Sequence, residues 1–394
     1  MDRRRFLQGA GVGAGALALG APAASAVAAP SLSGLTTLNM KAENFPHWHQ
    51  AVANVKARKS SSKVLFVGTS ITFGAGVGFK FPTQSVPAYF AQLAHAAIAP
   101  ATQSLGAITP VTPHDSRFSV GSGWYAEGGG PGLGWADVGY IAGNPGAGSL
   151  TFTPAPKQKV DTFDLWYIGG PTSGSMEASV NGARATTIHT TMKGGIRVTK
   201  TTIRCKAGTS NVLSVNSVTK GTVFLFAIDA YRASAAALHI GNAGVSGLGS
   251  AKHWATASVG SSLACLEAYR PSLTVIALGG DDALLTGPPT SAAAFTKSVQ
   301  SLIGAAKRSG DVLLWTEPLS VPGALVSVPA EQSFASALYR LAAANNVGLV
   351  DIAKLFVSGP SAASRGLFYD QYHPNKKGNA LIAKALAESL ATVA

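Results

Sequence analysis

The sequence predicts an α/β fold: a doubly wound, five-stranded parallel sheet carrying an inserted antiparallel β-sandwich. Three observations lead there. Short apolar runs of strand length alternate with helix-length patterns toward both ends of the chain. Between them, from about residue 101 to residue 231, the helical period disappears and two-residue alternation takes its place. Hydrophobic residues make up 46% of the 394 and charged residues only 12%, which supports a sizeable core and excludes wholesale disorder.

Residues 1–30 read as an address rather than as fold. Arg3-Arg4-Arg5-Phe6-Leu7 supplies a basic start with paired arginines, Gly9 to Gly20 a weakly apolar Gly/Ala-rich stretch, and Ala24-Ser25-Ala26 and Ala26-Val27-Ala28 small-residue cleavage candidates. This looks like a twin-arginine export signal and predicts a secreted, extracellular protein. The apolar run is too short and too rich in glycine to span a bilayer comfortably. The α/β domain then takes residues 31–100 and 232–394, and the sandwich residues 101–231.

The lead-in to the first domain contains Phe45-Pro46-His47-Trp48-His49. His47 and His49 have no further Cys, His or carboxylate at ligand spacing, so Trp48 is expected to pack against the domain and no metal or cofactor is implied. Lys63-Val64-Leu65-Phe66-Val67 then reads as a buried parallel strand ending at Gly68. Thr69 and Ser70 follow at the carboxyl end of that strand, where open α/β sheets hold their ligands, which makes Ser70 the candidate nucleophile. A helix is expected over about 85–99.

Within 101–231 the alternating runs are 150–153, 162–168, 175–180, 201–205, 211–215 and 222–228, separated by turn signals such as Asn181-Gly182 and Gly194-Gly195. The α/β rhythm returns with strands at 236–241, 273–278, 312–316 and 347–351, and helices at about 261–269, 291–308, 331–345 and 376–390. Asp370-Gln371-Tyr372-His373 precedes the last helix. A serine hydroxyl needs a base within reach and a group that orients that base, and His373 and Asp370 offer both.

Four short blocks in this order resemble the SGNH, or GDSL-type, esterase and lipase family. They are Gly68-Thr69-Ser70, with Thr69 where the family has Asp; Asn242-Ala243-Gly244-Val245-Ser246-Gly247; Gly279-Gly280-Asp281-Asp282, with Asp281 where the family has Asn; and Asp370-x-x-His373, a full match. The resemblance implies an ester hydrolase of flavodoxin-like architecture, with Ser70, His373 and Asp370 as catalytic residues and an oxyanion hole made by Ser70, Gly247 and Asp281. Asp281 is the departure that matters, because an ionised carboxylate only accepts hydrogen bonds where asparagine donates. Either it is protonated in a desolvated site, or it points elsewhere, or the enzyme is weak or inactive. The absence of a second glycine in Gly68-Thr69-Ser70-Ile71-Thr72 argues against the nucleophile elbow of an ordinary α/β-hydrolase.

The expected activity is a secreted serine esterase acting on ester-bearing carbohydrate, most directly on O-acetyl groups. A lipase or general carboxylesterase of the same mechanism, and a carbohydrate- or envelope-binding protein with a degenerate site, are the alternatives. Trp124, Tyr125, Trp135, Trp166 and Tyr167 are candidates for an aromatic sugar platform on the inserted sandwich, with core packing the stronger reading for Trp166. A net charge of +13 favours anionic envelope polymers as partners, and no nucleic-acid motif is present. For Cys205 and Cys265 a disulfide and two separate thiols are both compatible with the sequence.

Overall fold

The computed structural model describes residues 32, 34–107, 115–125, 140–183, 186–245, 254, 260–284, 290–321 and 323–394. The export-signal reading, Trp135 and Gly247 lie outside the described residues. In chain order the strands are β1 Thr36–Leu38, β2 Ser62–Gly68, β3 Ala101–Ala107, β4 Phe118–Val120, β5 Trp124–Tyr125, β6 Ile141–Gly143, β7 Leu150–Phe152, β8 Val160–Gly169 and β9 Ser175–Val180. They continue with β10 Thr186–His189, β11 Arg197–Gly208, β12 Leu213–Thr219, β13 Val223–Tyr231, β14 Leu238–Gly244, β15 Leu273–Ala277, β16 Asp311–Trp315 and β17 Gly348–Asp351.

The site is positioned by the order β17-β16-β15-β2-β14-β3, in which every neighbouring pair is parallel. Strand β2 therefore sits where the winding reverses, with β14 on one side and β15 on the other. Side chains alternate across it: Val64 and Phe66 join the core formed with helices Pro46–Lys56, Val86–Ala97 and Lys376–Ala391, while Leu65 and Val67 face helices Ser262–Tyr269, Ala292–Ala306 and Val328–Asn345. Both faces are covered, which is why β2 reads as an apolar run rather than as an alternation. Trp48 is wholly buried in the first core, its indole N–H donating to Leu390 O at 3.1 Å, whereas His47 and His49 are exposed.

The parallel part has six strands, not the five expected. Strand β3 falls within the residues expected to form the insertion, yet it pairs parallel with β14, with Leu105 opposite Gly241. Ala-Thr-Gln-Ser-Leu-Gly-Ala carries too little apolar side chain to announce a strand, and pairing with its neighbours decides its state. An antiparallel edge strand, β1, closes the other side against β17.

Antiparallel strands do fill the rest of 101–231, but no break in the sheet marks them off. Strand β13 pairs with β3, β6 and β8, and β8 with β11, so the parallel sheet runs on into antiparallel strands. A second sheet, ordered β10-β9-β12-β7-β4, shares a core with these strands that includes Phe152, Phe163, Leu165, Val215 and Leu225. Leu32–Ala394 forms one compact unit.

Candidate active site

Three strand ends are level with one another. Gly244 of β14 and Ala277 of β15 both pair with Gly68, the last residue of β2. A Cβ at Gly68 would run into the Thr72 hydroxyl and Ala277 O, and one at Gly244 into the Phe73 backbone. These glycines let the short helix Ser70–Phe73 lie directly on the strand ends. Thr69 caps that helix, its hydroxyl accepting from Ile71 N at 3.3 Å, and Asn242 holds its far end by donating to Phe73 O at 3.1 Å.

Ser70, at the first position of the helix, is 5% exposed. Its hydroxyl lies 2.9 Å from His373 Nε2, and His373 Nδ1 lies 2.7 Å from Asp370 Oδ2. The residues expected to work together, 303 positions apart in sequence, thus share one line of hydrogen bonds. The loop carrying them is held locally: Asp370 Oδ1 accepts from Tyr372 N at 2.8 Å and His373 N at 2.7 Å, and Tyr369 N donates to His373 O at 2.8 Å. Burial pushes the Asp370 carboxyl up, but the His373 ring and these two amides outweigh it and leave the group below the ordinary carboxylate value. An anionic Asp370 accepts Nδ1–H and leaves Nε2 to accept from Ser70.

The third block turns out of β15 at Gly279, whose φ of 131° is open to glycine and strained for other residues. Asp281–Ala283 then forms one turn of 3₁₀ helix, with Asp281 half-buried. Beneath it stands a residue that sequence reasoning missed. Glu317, two residues past β16 and 8% exposed, takes a very short hydrogen bond from the Thr69 hydroxyl on Oε1 and accepts Gly280 N–H at 2.7 Å on Oε2. Desolvation first, and then the charges of Asp281 and Asp282, raise its carboxyl to about 8 despite the Thr69 and Gly280 hydrogen bonds that pull the other way. Trp-Thr-Glu after an apolar strand carries no motif, so only its place at a strand's carboxyl end could have singled Glu317 out.

Gly76 was also missed. A Cβ there would run into Pro374 O, so the segment after the nucleophile packs backbone-to-backbone on the histidine loop. The expected aromatic platform is corrected: Trp124, Trp166 and Tyr167 are buried in cores, Trp124 donating to Gly148 O at 2.7 Å, and Tyr125 is partly buried against the main core. Packing between and beneath sheets claims these side chains before a ligand can. Neither cysteine is in a disulfide; Cys265 is buried and Cys205 half-buried.

The GDSL-like Lipase/Acylhydrolase family model matches residues 217–381, which take in the second, third and fourth blocks and leave out Ser70. A solved structure of a peptidoglycan O-acetylesterase is similar over 90% of this chain and 97% of that one, with a TM-score of 0.69 and 14% identity, a likeness of fold. A lipase/acylhydrolase from Enterococcus faecalis is 20% identical over 40% of this chain and 76% of its own, with a TM-score of 0.34. A carbohydrate esterase family 2 enzyme from Corynascus thermopiles is 14% identical over 74% of this chain and 99% of its own, at 0.29. These two overlap loosely and add no argument. No curated protein matches the sequence significantly. The family match spans three of the four blocks, so the chain carries a GDSL-like lipase/acylhydrolase domain over residues 217–381 and is an ester-hydrolysing enzyme.

Proposed function

We propose that this chain is an exported serine esterase that removes O-acyl groups, foremost O-acetyl groups, from carbohydrate. The observation that carries the reading is the hydrogen-bond line from Asp370 Oδ2 through His373 to the Ser70 hydroxyl, at 2.7 and 2.9 Å. In this reading Ser70 Oγ attacks the ester carbonyl as its proton passes to His373 Nε2. Backbone N–H groups at Ser70 and Gly247, with the Asp281 position, meet the oxyanion that develops. The bond between the acyl carbon and the alcohol oxygen breaks, and His373 returns the proton to that oxygen. Water, deprotonated by His373, then attacks the acyl-serine; Ser70 leaves with its proton restored and the carboxylate product is released. Asp370 holds the ring tautomer and balances the charge of the imidazolium throughout.

Carbohydrate as the substrate is supported by fold likeness to an enzyme described as a peptidoglycan O-acetylesterase and by the export-signal pattern of residues 1–30, which suggests the twin-arginine route out of the cell. A net charge of +13 supports attraction to an anionic envelope polymer. Hydrolysis of p-nitrophenyl esters of rising acyl length, together with acetate release from acetylated polysaccharide, tests the reading. Turnover confined to short acyl groups and sensitive to a serine-directed phosphonate supports it. Preference for long chains assigns a lipase instead, and no turnover on any ester leaves a binding protein with a degenerate site.

A further inference from the structure

Glu317 links the two departures from the family pattern. Its one carboxyl touches Thr69, the residue before the candidate nucleophile, and Gly280, the residue before Asp281. A Cβ at Gly280 would stand 2.8 Å from Glu317 Oε2, so glycine is what admits the carboxyl so close to this backbone. The position is a costly one for an acid. Asp281 and Asp282 face it from the loop after β15. Glu331, from helix Val328–Asn345, lines the same narrow cavity and is itself held by Ser320 N at 3.0 Å and the Ser320 hydroxyl at 2.6 Å. No lysine or arginine among the described residues forms an ion pair with Glu317. An apolar side chain would fill the space without that desolvation penalty. What an apolar side chain cannot do is hold a hydroxyl and an amide at once.

We infer that Glu317 is a positioning residue for ester hydrolysis: it ties the cap of the nucleophile helix to the loop carrying Asp281, and so fixes the Ser70 hydroxyl and the oxyanion side of the site relative to each other. The inference rests on the assignment of Ser70 as nucleophile. The clamp works in its neutral form. With its carboxyl raised to about 8, Glu317 keeps its proton at neutral pH while it holds the Thr69 hydroxyl on Oε1 and the Gly280 N–H on Oε2. Ionisation places a full negative charge under the loop where an oxyanion must form.

The test is kcat and KM on p-nitrophenyl acetate from pH 5 to 9 for the full chain, Glu317→Gln, Glu317→Ala and Ser70→Ala. Glutamine donates with its amide nitrogen and accepts with its oxygen at every pH. Glu317→Gln is therefore expected to keep kcat within about threefold of the parent at pH 6 and to lack the parent's fall in kcat near pH 8. Glu317→Ala should lose about 10- to 100-fold in kcat with little change in KM, as expected for misplacement of about 1 Å. Superimposable profiles for parent and Glu317→Gln, or full kcat in Glu317→Ala, overturn the inference. Should Glu317→Ala fail to fold, the glutamine profile decides alone. Turnover surviving in Ser70→Ala would instead overturn the nucleophile assignment, a failure visible apart from the Glu317 profiles.

Discussion

Two carboxyl groups act on the Thr69-Ser70 step, Glu317 bonded directly to Thr69 and Asp370 joined to Ser70 through His373, and their protonation is driven in opposite directions. Asp370 is surrounded by donors: one imidazole N–H and two backbone N–H groups. Glu317 has two donors, deeper burial and two acidic neighbours. The first ends below its ordinary value and the second near 8. Burial alone would have raised both. The difference teaches that depth sets the desolvation each acid must bear, and that the count and charge of its partners decide whether that is overcome, as at Asp370, or left standing, as at Glu317.

The Asp370 side gives the largest expected effect. Ser70→Ala and His373→Ala should each lower kcat by about 10⁴-fold or more, and the double variant should be little worse, because the members of such a line act as a unit. Steady-state kinetics on p-nitrophenyl acetate, with circular dichroism to show an intact fold, checks this. Near-parental turnover in Ser70→Ala would leave the Asp370–His373 pair without a reaction to serve. Gly76→Ala should come next. Its Cβ pushes on Pro374 O and shifts the histidine loop, so a loss of about 100-fold in kcat is expected while the melting temperature changes little. Unchanged kcat would mean that the Ser70–His373 contact tolerates displacement.

Asp281 sharpens the other side of the comparison. If it faces the oxyanion, Asp281→Asn supplies a permanent N–H donor, and one such donor can contribute about 10²–10³ in kcat. The same substitution removes a charge that raises Glu317, so the Glu317 carboxyl should fall and the alkaline limb of the kcat profile should move to lower pH. If the limb disappears instead, Asp281 carried the proton that mattered. Equal profiles, or a large loss, would give Asp281 a different task.

Stability offers a readout of Glu317 that needs no substrate. An acid whose carboxyl is raised on folding contributes most below its unfolded value, near 4.5, and that contribution is lost as pH rises to its folded value, about 8. Glu317→Gln has no such loss. Its stability should match the parent's near pH 4.5 and exceed it increasingly above, by about 1.4 kcal/mol per pH unit at most. Chemical denaturation at pH 5, 6, 7 and 8 measures the gap; a gap that does not widen would mean that Glu317 is ionised throughout.

How far the sequence foretold these two sides follows from the chemistry of each. Ser70, Asp370 and His373 were legible because a strand end, a hydroxyl and a three-residue spacing are local patterns. Strands β2, β14, β15, β16 and β17 were legible because burial on both faces writes an apolar run. Strand β3 was not, since its small and polar residues owe their state to neighbours. Glu317 was not, because a buried acid announces itself only through partners such as Thr69 and Gly280, 248 and 37 residues away. The aromatic residues misled for the same reason: Trp166 and Tyr167 lie on a strand with two covered faces, which alternation alone does not reveal.

The smallest expected effect concerns what lies beyond the two acids. Tyr369 is 66% exposed, yet its backbone is fixed by the hydrogen bond from Tyr369 N to His373 O. If the substrate is carbohydrate, as proposed, a solvent-exposed ring on the loop that carries His373 is available to stack on the face of the sugar. Such a contact would be made equally in the bound and transition states, so it should lower KM without raising kcat. Tyr369→Ala should then raise KM for an acetylated oligosaccharide by about threefold to tenfold, leave kcat unchanged and leave both constants for p-nitrophenyl acetate as they were. Tyr369→Phe should retain the parent's values, since the ring and not the hydroxyl makes the contact. An equal loss on both substrates would show that Tyr369 acts through the His373 loop, on the Asp370 side of the site, and that the sugar is held elsewhere.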